Sequence, residues 1–236
     1  MKFSHPLIKG KLIKRYKRFL ADIELENGEV ITAHCANPGS MMYLKDPGAE
    51  VWVSPAQNPN RKLKYTWEIV KINEVLIGLN TSLPNKIVEE AVQKGLVAEV
   101  AGYNSLRREV KYGKNSRIDI LLQNSNLPDC YLEVKSVTLK RPGKSNKLAE
   151  FPDSVTTRGT KHLQQLSDQV VNGNRAVMLY LVQREDCDQF SIAGDIDSNY
   201  GEAFIAARGS GVEMLCYGCS ISPEAINISR KLEIVI

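Results

Sequence analysis

Two carboxylates and a lysine fall on neighbouring strand-like runs of this 236-residue chain. Asp119 lies in Arg117-Ile118-Asp119-Ile120-Leu121-Leu122, and Glu133 and Lys135 lie in Tyr131-Leu132-Glu133-Val134-Lys135-Ser136. Strand side chains alternate in direction, so Glu133 and Lys135 share a face, and a hairpin between the two runs can set Asp119 beside them. Mg²⁺ takes one or two protein carboxylates and completes its shell with waters and phosphate oxygens, so the trio fits a Mg²⁺ or Mn²⁺ centre acting on a phosphodiester. The ion would polarise phosphorus and lower the pKa of a bound water, while Lys135 positions that water or offsets charge at phosphorus. Glu-x-Lys by itself is a cheap tripeptide. A second copy, Glu109-Val110-Lys111, reads as surface charges on alternating strand positions. Asp119 does not fit that reading, because isoleucines flank it and leucines follow.

Residue types that hold phosphates recur around this trio. Thr157-Arg158-Gly159 would open a helix whose N-terminal amides favour an anion, with Lys161 and His162 one turn further in. His162 suits either proton transfer or a hydrogen bond from the helix surface to a carboxylate. Asn37-Pro38-Gly39-Ser40 forms either a phosphate-contacting turn or simply a tight loop, with Asn37 and Ser40 as its polar side chains. Either of Glu89 and Glu90 on the first helix could face the metal centre, with at least one of them expected on solvated surface. The net charge of +4 comes from the first 80 residues, and the first 20 hold seven basic side chains and no acidic one. Lys11, Lys14, Arg15, Lys17 and Arg18 from that segment, Arg117, and a basic loop from Lys140 to Thr157 that includes Lys140 and Arg141 complete the set expected to meet DNA.

The elements that must position these residues are legible in outline. Phe19, Ala21, Ile23 and Leu25 alternate, Asn27-Gly28 supplies a hairpin turn, and Val30 to Cys35 returns. Val51-Trp52-Val53 and the alternation of Leu63, Tyr65, Trp67 and Ile69 add strands, which together predict a small OB-like barrel over residues 1–80. Trp52, Tyr65 and Trp67 are read as barrel filling. Pro84 opens a helix with Ile87, Val88, Ala91 and Val92 on one face and Gly95 past its end. Strands at about 106–112, 117–123 and 130–138, a helix from Gly159 to Asn172, and an apolar strand from Ala176 to Val182 give the order αβββαβ within residues 81–236. A helix near Tyr200 to Arg208 and strands near 212–216 and 228–235 follow. The five cysteines are read as reduced thiols, and Cys216-Tyr217-Gly218-Cys219 as ordinary strand residues without a partner pair for zinc. The longest clean apolar stretch, Ala176 to Val182, falls far short of the roughly 20 residues of a bilayer helix, and no secretory signal is visible, so a cytoplasmic protein with no membrane partner is expected.

An acid on one strand and Glu-x-Lys on the next, in the order αβββαβ, resembles the PD-(D/E)xK nuclease-like fold of restriction endonucleases and Holliday junction resolvases, with Ile118 where the motif's name has proline. Three separated motifs, Phe151 to Leu163, His34 to Met41 and Asn115 to Asp119, closely resemble the sugar fermentation stimulation protein family, SfsA, over essentially the whole chain. That resemblance implies an N-terminal OB-fold, a C-terminal nuclease-like domain, DNA binding without strong sequence preference, and a role in regulating sugar (maltose) metabolism. Two function classes follow. In one, the protein is a metal-dependent nuclease whose barrel delivers DNA to Asp119, Glu133 and Lys135. In the other, it is a DNA-binding regulator without catalysis. Nothing marks a sugar enzyme: there is no Gly-rich nucleotide loop and no distinctive pair of glycosidase carboxylates. Oligomeric state is not legible.

Overall fold

The computed structural model describes residues 1–58, 60–112 and 116–235. Its first six strands are β1 (Ile8–Tyr16), β2 (Leu20–Leu25), β3 (Val30–Cys35), β4 (Glu50–Pro55), β5 (Tyr65–Ile72) and β6 (Val75–Gly78). β1 pairs antiparallel with β2 and β4, and β5 pairs with β4. A parallel pairing of β3 with β5, Ala33 opposite Tyr65 and Cys35 opposite Trp67, closes the ring, which is the closure of an OB-fold. The alternation read from β2 and β3 points inward as expected. Ala21, Ile23, Ile31, Ala33 and Cys35 fill the barrel together with Leu12, Val51, Val53 and Trp67. Trp67 is fully buried and its indole N–H donates to the Ile69 carbonyl at 3.0 Å, so it is a filler. The basic N-terminal segment folds as β1, a full barrel strand, and β6 adds a sixth strand that sequence periodicity did not mark.

The remaining elements are α1 (Pro84–Gln93), β7 (Ser105–Tyr112), β8 (Ser116–Asn124), β9 (Leu127–Val137), β10 (Leu148–Phe151), α2 (Thr157–Val171), β11 (Arg175–Val182), β12 (Gln189–Ile192), α3 (Ser198–Gly209), β13 (Glu213–Ile221), β14 (Ile226–Lys231) and β15 (Glu233–Ile234). The succession α1-β7-β8-β9-α2-β11 is the αβββαβ order expected from the sequence, with β10 inserted before α2. One mixed sheet runs β14-β13-β11-β9-β8-β7. α1 covers one face with Ile87, Val88 and Ala91 packed on Ile120, Leu132 and Leu179, and α2 and α3 cover the other with Leu163, Leu166, Tyr200 and Phe204 on Met178 and Tyr180. β11 at the centre is buried on both faces, as its unbroken apolar run requires. Ile69 of the barrel joins the α1 cluster, and Gly78 N–H donates to the Gln183 carbonyl at 3.0 Å, so barrel and α/β unit interlock.

Several expected boundaries shift. β9 begins at Leu127 and includes Pro128, because a tight turn at Asn124 to Leu127 suffices to reverse the chain. α2 begins at Thr157, capped by the Thr156 hydroxyl, which accepts from Gly159 N–H at 3.1 Å. The segment from Lys140 to Thr157 is not an open basic loop. It contains β10, which pairs in parallel with β12, and β12 pairs in turn with β15 as a small third sheet. Cys216 and Cys219 are buried free thiols on opposite faces of β13, one in each apolar cluster, which makes them core residues. Asn115, the first residue of one family-like motif, lies outside the described residues.

Candidate metal centre

On the side of Asp119, the described ladder between β8 and β9 ends at the pair Ile120–Leu132, while β9 continues against β11 as far as Val137. The strands therefore separate where the acids sit. Asp119 takes over the role of a ladder carbonyl: its Oδ2 accepts from Val134 N–H at 2.8 Å, and its Oδ1 accepts from the Asn85 side-chain amide of α1 at 2.8 Å. Glu133 is 2% exposed. Its Oε1 accepts from Lys135 Nζ at 2.7 Å and bonds to His162 Nδ1. The Lys135 ammonium also lies 3.2 Å from His162 Nδ1, and Arg158 Nε donates to His162 Nε2 at 3.3 Å. Glu133 Oε2 is buried with no hydrogen-bond partner among the described residues.

Electrostatics follows from this arrangement. Burial, and next the neighbouring Glu133 carboxylate, push the Asp119 pKa up to about 6. Burial also acts to raise Glu133, but Lys135 and His162 outweigh it and hold Glu133 below the usual carboxylate range. The pair thus shares one strongly held negative charge and a second that is easily neutralised. A buried carboxylate oxygen without a donor is costly, and a divalent cation would relieve both that cost and the repulsion between the two acids. The donor set fits a Mg²⁺-like ion held by two carboxylates, with waters and a phosphate completing the shell. No cluster of three His, Cys, Asp or Glu side chains suited to a metal occurs among the described residues.

The three residues singled out by type and spacing therefore converge, and His162 joins them. It is buried rather than on the helix surface, because α2 packs directly onto β9. A cleft of about 650 Å³ opens over the centre, and Arg18, Asn37 and Gly39 of the barrel line it opposite Asp119, Glu133, Lys135, Arg158 and His162. An adjoining groove of about 640 Å³ is lined by Lys111, Arg117, Arg158 and Lys161, with Glu109 at the junction. Glu109 and Lys111, the second Glu-x-Lys copy, thus flank the cleft, and Glu109 has a positive φ of 53° that interrupts the β7–β8 ladder opposite Asp119.

Other expected contacts are placed elsewhere. Arg15 donates to the carbonyls of Asn37 and Gly39 and Arg18 to that of Pro38, so both brace the turn. Ser40 Oγ donates to the Asp153 carbonyl at 2.8 Å and ties the barrel to the loop before α2, which occupies it structurally. Lys11 lines a separate depression with Glu24 and Glu50, Lys14 pairs with Asp22 at 3.6 Å, and Lys17 sits in the β1–β2 turn with φ of 48°. Lys140 pairs with Asp186 at 2.7 Å and Arg141 with Glu150 and Asp195, so the supposed basic loop is neutralised by acids that fold against it. Glu89 pairs with Arg108 and Glu90 with Lys94 at the periphery. Asn85 escaped sequence reasoning, since an Asn after a helix-opening proline is unremarkable and its partner is 34 residues away.

Residues 13–79 match the family model described as the SfsA N-terminal OB domain, and residues 82–225 match that of the sugar fermentation stimulation protein RE domain. This chain belongs to the sugar fermentation stimulation protein family. Among curated members, the sugar fermentation stimulation protein homolog of Paramagnetospirillum magneticum is 54% identical over 232 residues, covering 98% of this chain and 97% of the relative. The homolog of Ruegeria sp. strain TM1040 is 56% identical over 234 residues, with 98% and 99% coverage. The solved structure of Pyrococcus furiosus SfsA in complex with Ca²⁺ superposes with a TM-score of 0.89 at 24% identity, covering 100% of this chain and 98% of that one. The two-part fold is therefore that of the sugar fermentation stimulation family. No helix among the described residues is long and apolar enough to cross a membrane.

Proposed function

We propose that this protein binds DNA without strong sequence preference, and that Asp119 and Glu133 hold a Mg²⁺ or Mn²⁺ ion at which a phosphodiester is hydrolysed. The observation that carries the reading is the buried, unpartnered Glu133 Oε2 beside an Asp119 carboxyl raised to about 6, both at the floor of a cleft rimmed by Arg18 and Arg158. A relative of the same fold bound to Ca²⁺ supports a divalent cation in this family. When bound, the ion would polarise phosphorus and lower the pKa of a bound water. Asn85 and the Val134 N–H fix the orientation of Asp119, and His162 holds Glu133 by its other oxygen. Lys135, 13% exposed and anchored on Glu133, places its ammonium to offset charge on the phosphate. Residues 1–80 and 81–236 act as the two domains, with the barrel closing the cleft over the carboxylates. The cellular role is regulation of sugar (maltose) metabolism in the cytoplasm.

A second reading, a DNA-binding regulator without catalysis, is favoured by one observation: Lys135 and His162 already compensate Glu133 without a metal. Calorimetric titration of Mn²⁺ and Mg²⁺ into wild type, Asp119→Ala, Glu133→Ala and Lys135→Ala, beside cleavage assays on single-stranded, duplex and branched DNA, separates the two. The nuclease reading expects both acid variants to lose metal uptake and cleavage while keeping most DNA affinity, and Lys135→Ala to keep the metal but lose cleavage. Wild type that takes up no divalent ion even with DNA leaves the regulator.

A further inference from the structure

Beside the linker between barrel and α1 lies a third depression, of about 560 Å³, lined by none of the residues placed at the carboxylate centre. Its lining includes His34 of β3, Arg61 of the β4–β5 connection, Lys86 of α1 and Lys2 of the N-terminal segment. The one carboxylate inside, Glu68, is 5% exposed and already engaged, accepting from Ser54 Oγ at 2.6 Å and from the Asn80 amide at 2.8 Å. Burial raises the Glu68 pKa, which further weakens the negative charge there.

Several cations of this protein have carboxylate partners, as with Lys9 on Glu50, Lys71 on Glu74, Lys94 on Glu90 and Lys231 on Glu99. Lys2 and Lys86 have none among the described residues, while Arg61 lies in the field of the buried Glu68 and hydrogen-bonds Thr66 Oγ1 at 3.2 Å. Lys111, Arg117 and Arg158, in the groove on the opposite side of the carboxylates, likewise have no carboxylate partner among the described residues. That groove shares Glu109, Arg158 and His162 with the central cleft, and the cleft shares Ser82 with the third depression. The three depressions therefore follow one another, with cations in the outer two and Asp119 and Glu133 in the middle one. His34 is held below its usual pKa by burial and by Arg61, so it presents a neutral ring, which suits stacking on a base.

We infer that the depression formed by His34, Arg61 and Lys86 is a second phosphate-binding subsite for the nucleic-acid strand that crosses the carboxylate cleft, so that the strand is gripped on both sides of the reacting centre. This rests on the DNA-binding reading above and adds to it that the strand passes through the site rather than ending in it.

The test is equilibrium binding of fluorescein-labelled oligothymidylates of 6 and 20 nucleotides, and a 20-base-pair duplex, across a salt series. Wild type is compared with Lys86→Gln, Arg61→Gln/Lys86→Gln, and Lys231→Gln as a control outside the three depressions. Each lost phosphate contact lowers the salt slope by about 0.7 for a single strand, so the double variant should lose about 1.4 and bind the 20-mer roughly tenfold more weakly. The 6-mer, short enough to stay on one side, should change little, and Lys231→Gln should match wild type. Melting curves check the fold, and the exposed Lys86→Gln change alone carries the test if Arg61 proves structural. A 20-mer affinity and slope unchanged in Lys86→Gln and in the double variant overturn the subsite while leaving DNA binding in place. Wild type that binds no oligonucleotide at low salt overturns the DNA-binding reading itself. Binding of the duplex alone, with the variants unaffected on both single strands, also overturns the subsite.

Discussion

Glu150, Asp186 and Asp195 meet Lys140, Arg141 and Arg184 around β10 and β12, whereas in the same α/β unit Asp119 is met only by two neutral N–H donors and Glu133 by one lysine and one histidine, with an oxygen left unpartnered. In the first group, Arg141 grips Glu150 with two bonds of 2.6 and 2.7 Å and reaches Asp195 as well. Burial acts to raise Asp186, but Arg184 and Lys140 outweigh it and bring its pKa down to about 2. In the second group, Asp119 goes the other way, up to about 6. Depth alone does not separate them, since Glu150 at 1% exposure is as buried as Glu133 at 2%. The difference lies in the supply of donors. Acids whose charge is fully met hold the fold, and acids left short of donors have a vacancy that a ligand can fill.

The contrast can be broken at the best-compensated pair. Arg141→Met strands Glu150 with only Lys144 at 3.6 Å, and removing one partner of a buried pair should cost about 3 kcal/mol or more. For a chain of this size that is a fall of roughly 6–12 °C in Tm by calorimetry. A change under 2 °C would mean that the pairing is ornamental.

Asp186→Asn tests the same group by pH. The folded carboxyl titrates near 2 and the unfolded one near 3.8, so its stabilisation is present above about pH 4 and is lost as pH falls towards 2. The variant should be weaker than wild type by about 1–2 kcal/mol at pH 7, and the gap should close across that acid window in urea titrations.

Asp119→Asn should have the opposite sign. Here the folded pKa lies above the unfolded value, so the ionised carboxylate penalises the native state above about pH 6, and the penalty disappears as pH falls towards 4. With the Val134 and Asn85 hydrogen bonds offsetting part of the gain, the variant should be more stable by about 1 kcal/mol at pH 7.5 without metal and equal to wild type near pH 4. A loss at pH 7.5 would place Asp119 among the structural acids.

Local patterns made the carboxylate centre readable. The period of 2 put Glu133 and Lys135 on one face, and 2.7 Å between them is the result. The short connection from β8 to β9 brought Asp119 within reach. Glycines after α1 and α2 and the Asn27-Gly28 turn were equally local signals, at φ values of +69°, +82° and +82°. What stayed hidden depends on partners far along the chain. Lys140 and Arg141 looked like free cations because Asp186 and Asp195 arrive 46 and 54 residues later, and β10 shows no period because its pairing strand, β12, comes after α2. For His162 the sequence suggested a carboxylate partner, which Glu133 is, but not its burial, because the strand it packs on lies 29 residues before it.

A Cβ on Gly39 would come within 2.4 Å of the Asp153 carboxylate that also receives Ser40 Oγ and Met41 N–H, so a side chain there must push that carboxylate aside. Barrel and α/β unit thus meet at this corner with less than a methyl group of clearance. The contact works as a latch between the turn at Asn37 to Ser40 and the loop before α2, two walls of the cleft. A heavier residue at position 39 would unseat the Asp153 carboxylate, and with it the bonds from Ser40 and Met41 that latch the two walls, while leaving every carboxylate, lysine and histidine on the floor chemically intact.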